Sequence, residues 1–193
     1  MNNKKLILAS KSPRRIDILK MIGLDFDVVP SMVDEKIKID LKGSLFAEYW
    51  SKKKAEYISE RYPNNLVVGA DTIVVFKGQI LEKPKDKSDS KNMLEMISNN
   101  CHKVKTGVTI ICKNRQISKT FSETTKVFVK KIPNDQIDFY IDNYNTLDKA
   151  GSYGIQEWFS IWVKKIDGCY YNVMGLPISK FYKNYSKFIN KLS

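Results

Sequence analysis

The chain has 193 residues, of which 42% are hydrophobic, and this length and composition are typical of one globular domain with room for two lobes. Its formal net charge is +12, from 33 lysines and arginines against 21 aspartates and glutamates. The lysines are spread along the chain, without an arginine-rich arm or a low-complexity tail. We therefore expect the charge to attract small phosphorylated ligands, and we expect no specific nucleic-acid binding.

The cysteines and the start of the chain exclude several classes of protein. Cys101, Cys112 and Cys169 are odd in number and far apart, which fits neither a disulfide framework nor a zinc-binding pattern. The basic start is followed by an apolar run that ends at Ala9, which is too short for a signal peptide, and no stretch is long enough to cross a membrane. We therefore expect a reduced, cytoplasmic protein without membrane association.

The first half of the chain alternates between strand-like and helix-like patterns. Ser12 and Ser44 are typical helix caps, while Pro13 and Gly23 are typical of the start and the end of the first helix. A turn at Lys77-Gly78 joins two strand-like runs. The predicted elements are, in order, a strand over 5–9, a helix over 13–22, a strand over 25–29, a helix over 44–61, strands over 66–76 and 79–81, and a helix over 86–98.

The second half contains two long runs rich in β-branched residues, which predict a hairpin around Asn114. The Asp167-Gly168 turn predicts a second hairpin, and Pro177 begins a last helix whose apolar residues keep helical spacing. These elements are strands over 104–112 and 116–129, a helix over 133–144, strands over 159–166 and 169–173, and a helix from 177. Together the two halves predict a mixed α/β domain.

The stretch "LASKSPRR" at 8–15 concentrates polar groups where the first predicted strand meets the first predicted helix, and it holds two of the four arginines. A helix N-terminus offers free backbone N–H groups and a positive dipole end. Ser10 and Ser12 add hydroxyl groups, and Arg14 and Arg15 add planar cations that suit phosphate oxygens. Neighbouring helical residues point about 100° apart, so we expect one arginine to face the ligand and the other to brace the loop. A capped surface helix with two solvated arginines is equally compatible.

An acidic residue interrupts the apolar run at 66–76. The Asp71 carboxylate is costly there unless it is paired, bound to a metal or at a cleft. Counted outward from the Lys77-Gly78 turn, Thr72 faces Lys83, which places Lys83 beside Asp71 with Glu82 close by. The pattern predicts an acid, a lysine and a hydroxyl group at one strand end. A purely structural ion pair is the alternative.

Lys54 lies at the middle of the apolar stripe of its predicted helix, when each residue is rotated by 100° from the last. A lysine in this position either extends to the rim of the core or meets an anion, for which phosphate is a candidate.

Two loops and one side chain are less informative. The stretch 148–156 is polar and glycine-bearing, as in loops that close over ligands, and Gln156 has a donor and an acceptor for a base edge. Glu35 follows Asp34 after a strand and could hold a divalent metal, although a solvated loop is as compatible. His102, the only histidine, has no partner at a recognisable spacing and receives no role.

Seven stretches occur in order between Leu8 and Pro177: "LASKSPRR", "VDE", "KKA", "GADTIVV", "LEKP", "DKAGSYGIQ" and "NVMGLP". This ordered set resembles the Maf family of nucleotide pyrophosphatases, which is related in fold to the inosine triphosphate pyrophosphatases. The resemblance implies one domain over 1–193, with a mixed, strongly twisted central sheet flanked by helices and two lobes around a cleft. It implies cleavage of a nucleoside triphosphate between the α- and β-phosphates, a requirement for Mg²⁺ or Mn²⁺, and a homodimer.

The resemblance also implies roles for individual residues. It makes Asp71, Lys83 and Glu35 the catalytic candidates, with Asp71 and Glu35 as metal-site carboxylates and Asp71 as the base for water or a metal ligand. Asp71-Thr72 and the 148–156 loop resemble the branch that acts on dTTP, UTP and modified uridine triphosphates, so Thr72 and Gln156 are candidates for base recognition. The candidates for binding the phosphates are Ser10, Ser12, Arg14, Arg15 and Lys54, and both Lys54 and Lys83 are candidate cations for the phosphates or the transition state.

The sequence departs from the family pattern at Lys11 and at 157–160, and the second departure could alter the mouth of the cleft or a dimer contact. Two other functions stay open. One is a non-catalytic nucleotide-binding regulator of septum formation or cell division, and the other is a basic nucleic-acid-binding module, which would bind with steep salt dependence.

Overall fold

The fold is built on one mixed sheet. The computed structural model describes residues 6–35 and 39–192, and the side chains of 6–35 and 39–189. Within these ranges seven strands pair in the order β2-β1-β3-β5-β6-β7, and β4 pairs with β3 outside this path. The strands are β1 (Leu6–Leu8), β2 (Phe26–Val28), β3 (Leu66–Phe76), β4 (Gln79–Leu81), β5 (Cys101–Cys112), β6 (Ile117–Val129) and β7 (Val163–Asp167).

Helices flank this sheet, as the mixed α/β prediction requires. No helix in the described ranges is long and apolar enough to span a membrane. The helices are α1 (Pro13–Met21), α2 (Ser44–Arg61), α3 (Lys87–Ile97), α4 (Asn134–Asn143), α5 (Tyr170–Met174) and α6 (Ile178–Leu192), with 3₁₀ turns at Lys113–Arg115, Ala150–Ser152 and Trp158–Trp162.

Within the described residues the predicted elements are confirmed except in the second hairpin, and Lys5, at the start of the first predicted strand, lies outside the described residues. The strand predicted over 169–173 is the helix α5, and 159–162 belongs to a 3₁₀ turn. Asn172 explains the difference, because its buried side-chain amide donates to the Val104 carbonyl and to Thr125 Oγ1, contacts that hold the segment against β5 and β6. These tertiary bonds override the β propensity of a segment rich in tyrosine and valine. Ser44 is the first residue of α2 rather than its cap, which is Gly43.

The cleft forms where one of the two edges of β3 has no paired strand. On one edge, β5 pairs with β3 from Val67 to Val75. The other edge is shared: β1 pairs in parallel with residues 66–68, and β4 pairs antiparallel with residues 74–76. Between them, residues 69–73 have no paired strand on that edge in the described ranges. Asp71 and Thr72 lie in this gap.

Two hydrophobic cores meet at the same gap. The first contains Leu66, Val68 and Ala70 of β3, packed with residues of α1 and α6. The second contains Val74 and Phe76, packed with residues of α3, α4 and the loop after α4. Because β3 passes from one core to the other at residues 71–72, the cleft separates two lobes, as the family resemblance implied.

Two glycines let α2 approach the sheet. A Cβ atom on Gly69 would lie 2.2 Å from the Ser51 carbonyl oxygen, and one on Gly107 would lie 2.3 Å from the Ala47 carbonyl oxygen. Since both obstacles are backbone atoms, a side chain at either position would push the helix away. The close approach brings Lys54, one turn along α2, to the level of Asp71.

His102 lies buried in β5, although its sequence context suggested no role. Its Nε2 atom is 2.6 Å from the Tyr153 hydroxyl, and its Nδ1 atom has no hydrogen-bond partner among the described residues. Burial lowers the pKa of the imidazole to about 4. The native state therefore holds this side chain neutral at pH values where an unfolded chain would protonate it.

We predict that the free energy of unfolding decreases as the pH falls from about 6.5 to about 4, because the unfolded chain binds a proton that native His102 excludes. This group alone should account for roughly 3 kcal/mol by the acid end of that range. Denaturant unfolding of the wild type and of His102→Gln at several pH values tests this. The difference in free energy of unfolding between the two proteins should become smaller as the pH falls. Parallel plots of this free energy against pH would contradict the prediction.

Candidate active site

A cleft of about 600 Å³ opens at the gap in β3. This volume is in the range of small-molecule sites. Every residue to which the sequence analysis gave a site role lines it: Ser10, Ser12, Arg14, Arg15, Glu35, Lys54, Asp71, Thr72, Lys83 and Gln156.

An ammonium group joins the two acidic candidates at the floor of this cleft. Lys54 extends from the inner face of α2, and its Nζ atom is 2.7 Å from Asp71 Oδ1 and 2.7 Å from Glu35 Oε2. Lys54 and Asp71 are each 8% exposed, whereas Glu35 is on the surface. Of the two possibilities that the sequence left open for Lys54, the structure shows contact with an anion, which is a pair of carboxylates.

Lys83 lies in the cleft but is not the partner of Asp71. The predicted hairpin register is confirmed for Phe76 with Gln79 and for Val74 with Leu81, where the ladder ends. The predicted pairing of Thr72 with Lys83 is wrong, because the chain leaves β3 after Leu81 and the Glu82 carbonyl instead accepts from the backbone N–H of Gly151. The exposed Lys83 side chain makes no hydrogen bond or ion pair with the described residues, so its ammonium is available to a ligand.

Arg15 braces the loop between β1 and α1. Its guanidinium donates from Nε to the Gly175 carbonyl (2.9 Å), from Nη1 to Ser10 Oγ (3.0 Å) and from Nη2 to Thr72 Oγ1 (3.0 Å). Burial lowers its pKa, an effect that the negative charge of Asp71 partly offsets. Ser10 Oγ also accepts from the backbone N–H of Ser12. Because protein acceptors already hold these donors, phosphate binding by Arg15 stays a prediction.

Arg14 lies at the open side of the cleft. Its Nη1 atom donates to Asp148 Oδ2 at 3.1 Å, which links α1 to the loop after α4. Burial alone would raise the pKa of the Asp148 carboxyl, but hydrogen bonds and charges from Lys149 and Arg14 lower it below its ordinary value. Arg14 is therefore the partly exposed arginine of the pair, held by a carboxylate that stays ionised at neutral pH.

Thr72 and Gln156 differ in how free they are to contact a base. The Thr72 hydroxyl, bound to Arg15, also lies 3.0 Å from the Thr106 hydroxyl, so it belongs to a network within the protein. Gln156 is exposed on the loop at the cleft. Of the two candidates for base recognition, Gln156 has the unengaged side chain in the described contacts.

Sequence reasoning missed the buried Lys149, which lines the cleft and is 5% exposed. Its ammonium is 3.1 Å from Asp148 Oδ1 and 3.1 Å from Glu157 Oε1. The adjacent acidic residue was the only local signal, since the second carboxylate lies eight positions further along the chain. The buried Tyr153, also at the cleft, was missed because its partner His102 lies on β5.

The two floor carboxylates fit a hard divalent cation. No group of three or more His, Cys, Asp or Glu side chains that could hold a metal exists in residues 6–35 and 39–192. Asp71 and Glu35 nevertheless present oxygen atoms to one common cation, the Lys54 ammonium. Two carboxylates, with phosphate oxygens and water completing the shell, are the donor set that Mg²⁺ uses in nucleotide sites.

Comparison with protein-family models matches residues 5–188 to the model described as Maf-like protein. The chain belongs to the Maf family. Among curated proteins it is similar to the dTTP/UTP pyrophosphatase of Cytophaga hutchinsonii, at 41% identity over 98% of this chain and 87% of that protein. It is also similar to proteins of that name from Acetivibrio thermocellus, at 44% identity over 91% of both chains, and from Thermosipho africanus, at 48% identity over 91% and 89%.

Among solved structures, the Ham1 protein of Staphylococcus aureus matches with a TM-score of 0.40 and 17% identity over 65% of this chain and 72% of that chain.

We predict that Lys54→Met lowers the free energy of unfolding by about 3 kcal/mol at neutral pH in metal-free buffer, because it leaves the buried Asp71 carboxylate without its cation. Denaturant unfolding measures the change. Lys52→Met is the matched control, since Lys52 lies on the same helix but pairs with Glu56 at the surface, 3.7 Å away, and should cost under about 0.5 kcal/mol. Equal effects would show that the buried pairing is without energetic consequence.

Proposed function

We propose that this Maf-family chain hydrolyses dTTP, UTP and modified uridine triphosphates to the nucleoside monophosphate and pyrophosphate, with Mg²⁺ or Mn²⁺. The observation that carries the proposal is the Lys54–Asp71–Glu35 cluster at the floor of a cleft that also contains Arg14 and Lys83. The names of the curated relatives, at 41–48% identity, support the choice of reaction and of substrates.

Cations on both sides of the cleft would hold the triphosphate. Lys83 presents an ammonium without a protein partner in the described ranges, and Arg14 presents a planar guanidinium at the open side. The first turn of α1 adds backbone N–H groups that favour phosphate. Arg15 ties Ser10 to the strand that carries Asp71, and it is proposed to contact the phosphates through the donor hydrogens that these bonds leave unused. Together these groups offset the negative charge that opposes attack on phosphorus.

Asp71 would act as the base, or as the residue that orients the attacking water. The Lys54 ammonium lies 2.7 Å from Oδ1 of this carboxylate and would hold it in place while it accepts the proton of water. A divalent ion held by Asp71 and Glu35 would supply further charge neutralisation for the phosphates. Since water attacks the α-phosphorus in line, pyrophosphate is the leaving group.

Gln156 would read the base. A primary amide offers one acceptor and two donor hydrogens, which complements the alternating acceptors and N–H donor of a uracil or thymine edge. Gln156 is exposed at the cleft, which supports this role, and Thr72 is proposed as a second contact. We further propose one domain over 1–193, a cytoplasmic location and a homodimer, as expected for the family.

We predict that Asp71→Asn reduces turnover by about 10²- to 10⁴-fold while the protein stays folded, because the amide cannot accept the proton of water. Pyrophosphate release measures turnover, and circular dichroism with thermal unfolding verifies the fold. Asp138→Asn is the control, since Asp138 forms an exposed ion pair with Lys91 on α3, outside the cleft. Wild-type turnover by folded Asp71→Asn would refute the assigned role.

A substrate panel tests the proposed function itself. We predict pyrophosphate release from dTTP and UTP at least about tenfold faster, in kcat/KM, than from GTP or 7-methyl-GTP, with either Mg²⁺ or Mn²⁺ and none after chelation. Preference for the guanine nucleotides would overturn the pyrimidine assignment. Nucleotide binding without pyrophosphate release would instead support a non-catalytic regulator.

A further inference from the structure

One carboxylate holds the loop that carries Gln156. Glu157 accepts a hydrogen bond from the Tyr140 hydroxyl at Oε2, 3.0 Å away, and its Oε1 atom lies 3.1 Å from the Lys149 ammonium. The Tyr140 hydroxyl in turn accepts from the backbone N–H of Gly154 at 3.1 Å. Glu157 therefore connects the start of the loop, its middle and the helix α4.

The Lys149 end of this network is buried. The ammonium also lies 3.1 Å from Asp148 Oδ1 and donates to the Asn145 carbonyl oxygen. With the side chain 5% exposed, removal of the Glu157 charge leaves a buried cation with one fewer carboxylate. Loss of a carboxylate partner destabilises a buried ammonium, so the loop would rearrange in order to hydrate Lys149.

The Glu157 carboxylate also lies close against the backbone of the loop at Gly154. A Cβ atom on Gly154 would lie 2.8 to 3.0 Å from the carboxylate atoms of Glu157, and the Glu157 N–H donates to the Gly154 carbonyl. Ile155 is buried in the second core. Gln156 thus stands between two anchored neighbours, which limits its amide to the positions that its own side-chain rotamers reach.

We infer that Glu157 is a positioning residue for nucleobase selection, acting through Gln156 without contacting the nucleotide. Glu157 is not among the residues that line the cleft, whereas Gln156 is. The inference rests on the proposed function, because it assigns Gln156 to the base. It adds that the ion pair between Glu157 and Lys149 sets the selectivity for uracil and thymine.

The test compares UTP with GTP in wild type, Glu157→Gln, Glu157→Ala and Gln156→Ala. Glu157→Gln keeps an oxygen for Tyr140 and removes the charge beside Lys149, whereas Glu157→Ala removes both. We expect the KM for UTP to rise about threefold in the first variant and about tenfold in the second, with kcat within about twofold, and the UTP/GTP ratio of kcat/KM to fall in the same order. Glu60→Gln is the matched control, because Glu60 pairs with Lys113 on the surface, away from the cleft, and should change neither quantity.

The double variant Gln156→Ala with Glu157→Gln decides whether Glu157 acts through Gln156. If it does, the double variant loses no more selectivity than Gln156→Ala alone. Independent, additive losses would overturn the inference, as would unchanged UTP/GTP ratios in both folded Glu157 variants while Gln156→Ala loses selectivity. In either case base reading by Gln156 would survive. A Gln156→Ala protein that keeps wild-type selectivity would overturn the base-reading proposal and the inference together.

Discussion

The cleft depends on a gap in the edge of one strand. β1 ends at Leu8 and β4 pairs only from Val74 onward, so the edge of β3 is open between them. Successive residues of a strand point to opposite faces. At the gap this alternation sends Asp71 toward Lys54 of α2 on one face and Thr72 toward Arg15 of α1 on the other. Segments far apart in the chain therefore meet around two adjacent residues.

Pairing within the protein governs the electrostatics of this cleft. The Lys54 ammonium is held by two carboxylates, Arg14 by Asp148, and Arg15 by neutral oxygen atoms. Each of these charged groups is thereby either paired with a carboxylate or hydrogen-bonded, as removal from water requires. A triphosphate must therefore compete with protein groups for these cations, whereas the exposed Lys83 and Lys11 at the cleft make no ion pair with the described residues. Placement of charges before ligand binding is what allows such sites to stabilise developing charge at little cost of reorganisation.

Local pattern was enough to predict most of the fold. The Lys77-Gly78 turn and the apolar run before it predicted the hairpin of β3 and β4 in its observed register, because both signals act within a few residues. Every residue that the ordered motifs made a site candidate lines the cleft, but Lys149 and Tyr153, which also line it, received no role from the sequence. The partners of those residues were not predictable, since Lys54 lies 17 positions and Arg14 lies 134 positions from the carboxylates that they bind. The helix α5 was missed for the same reason, because distant hydrogen bonds to Asn172 decide it.

Asp148 links the two ends of the cleft through a single carboxylate. One oxygen accepts from Arg14, which is proposed to bind phosphate, while the other lies 3.1 Å from Lys149. The second carboxylate of Lys149 is Glu157, which is adjacent to Gln156, the residue proposed to read the base. A phosphate bound to Arg14 would compete with Asp148 for the guanidinium, and Lys149 would then remain as the described cation in contact with Asp148. Contacts between neighbouring side chains therefore connect the groups proposed to bind phosphate with the loop proposed to read the base.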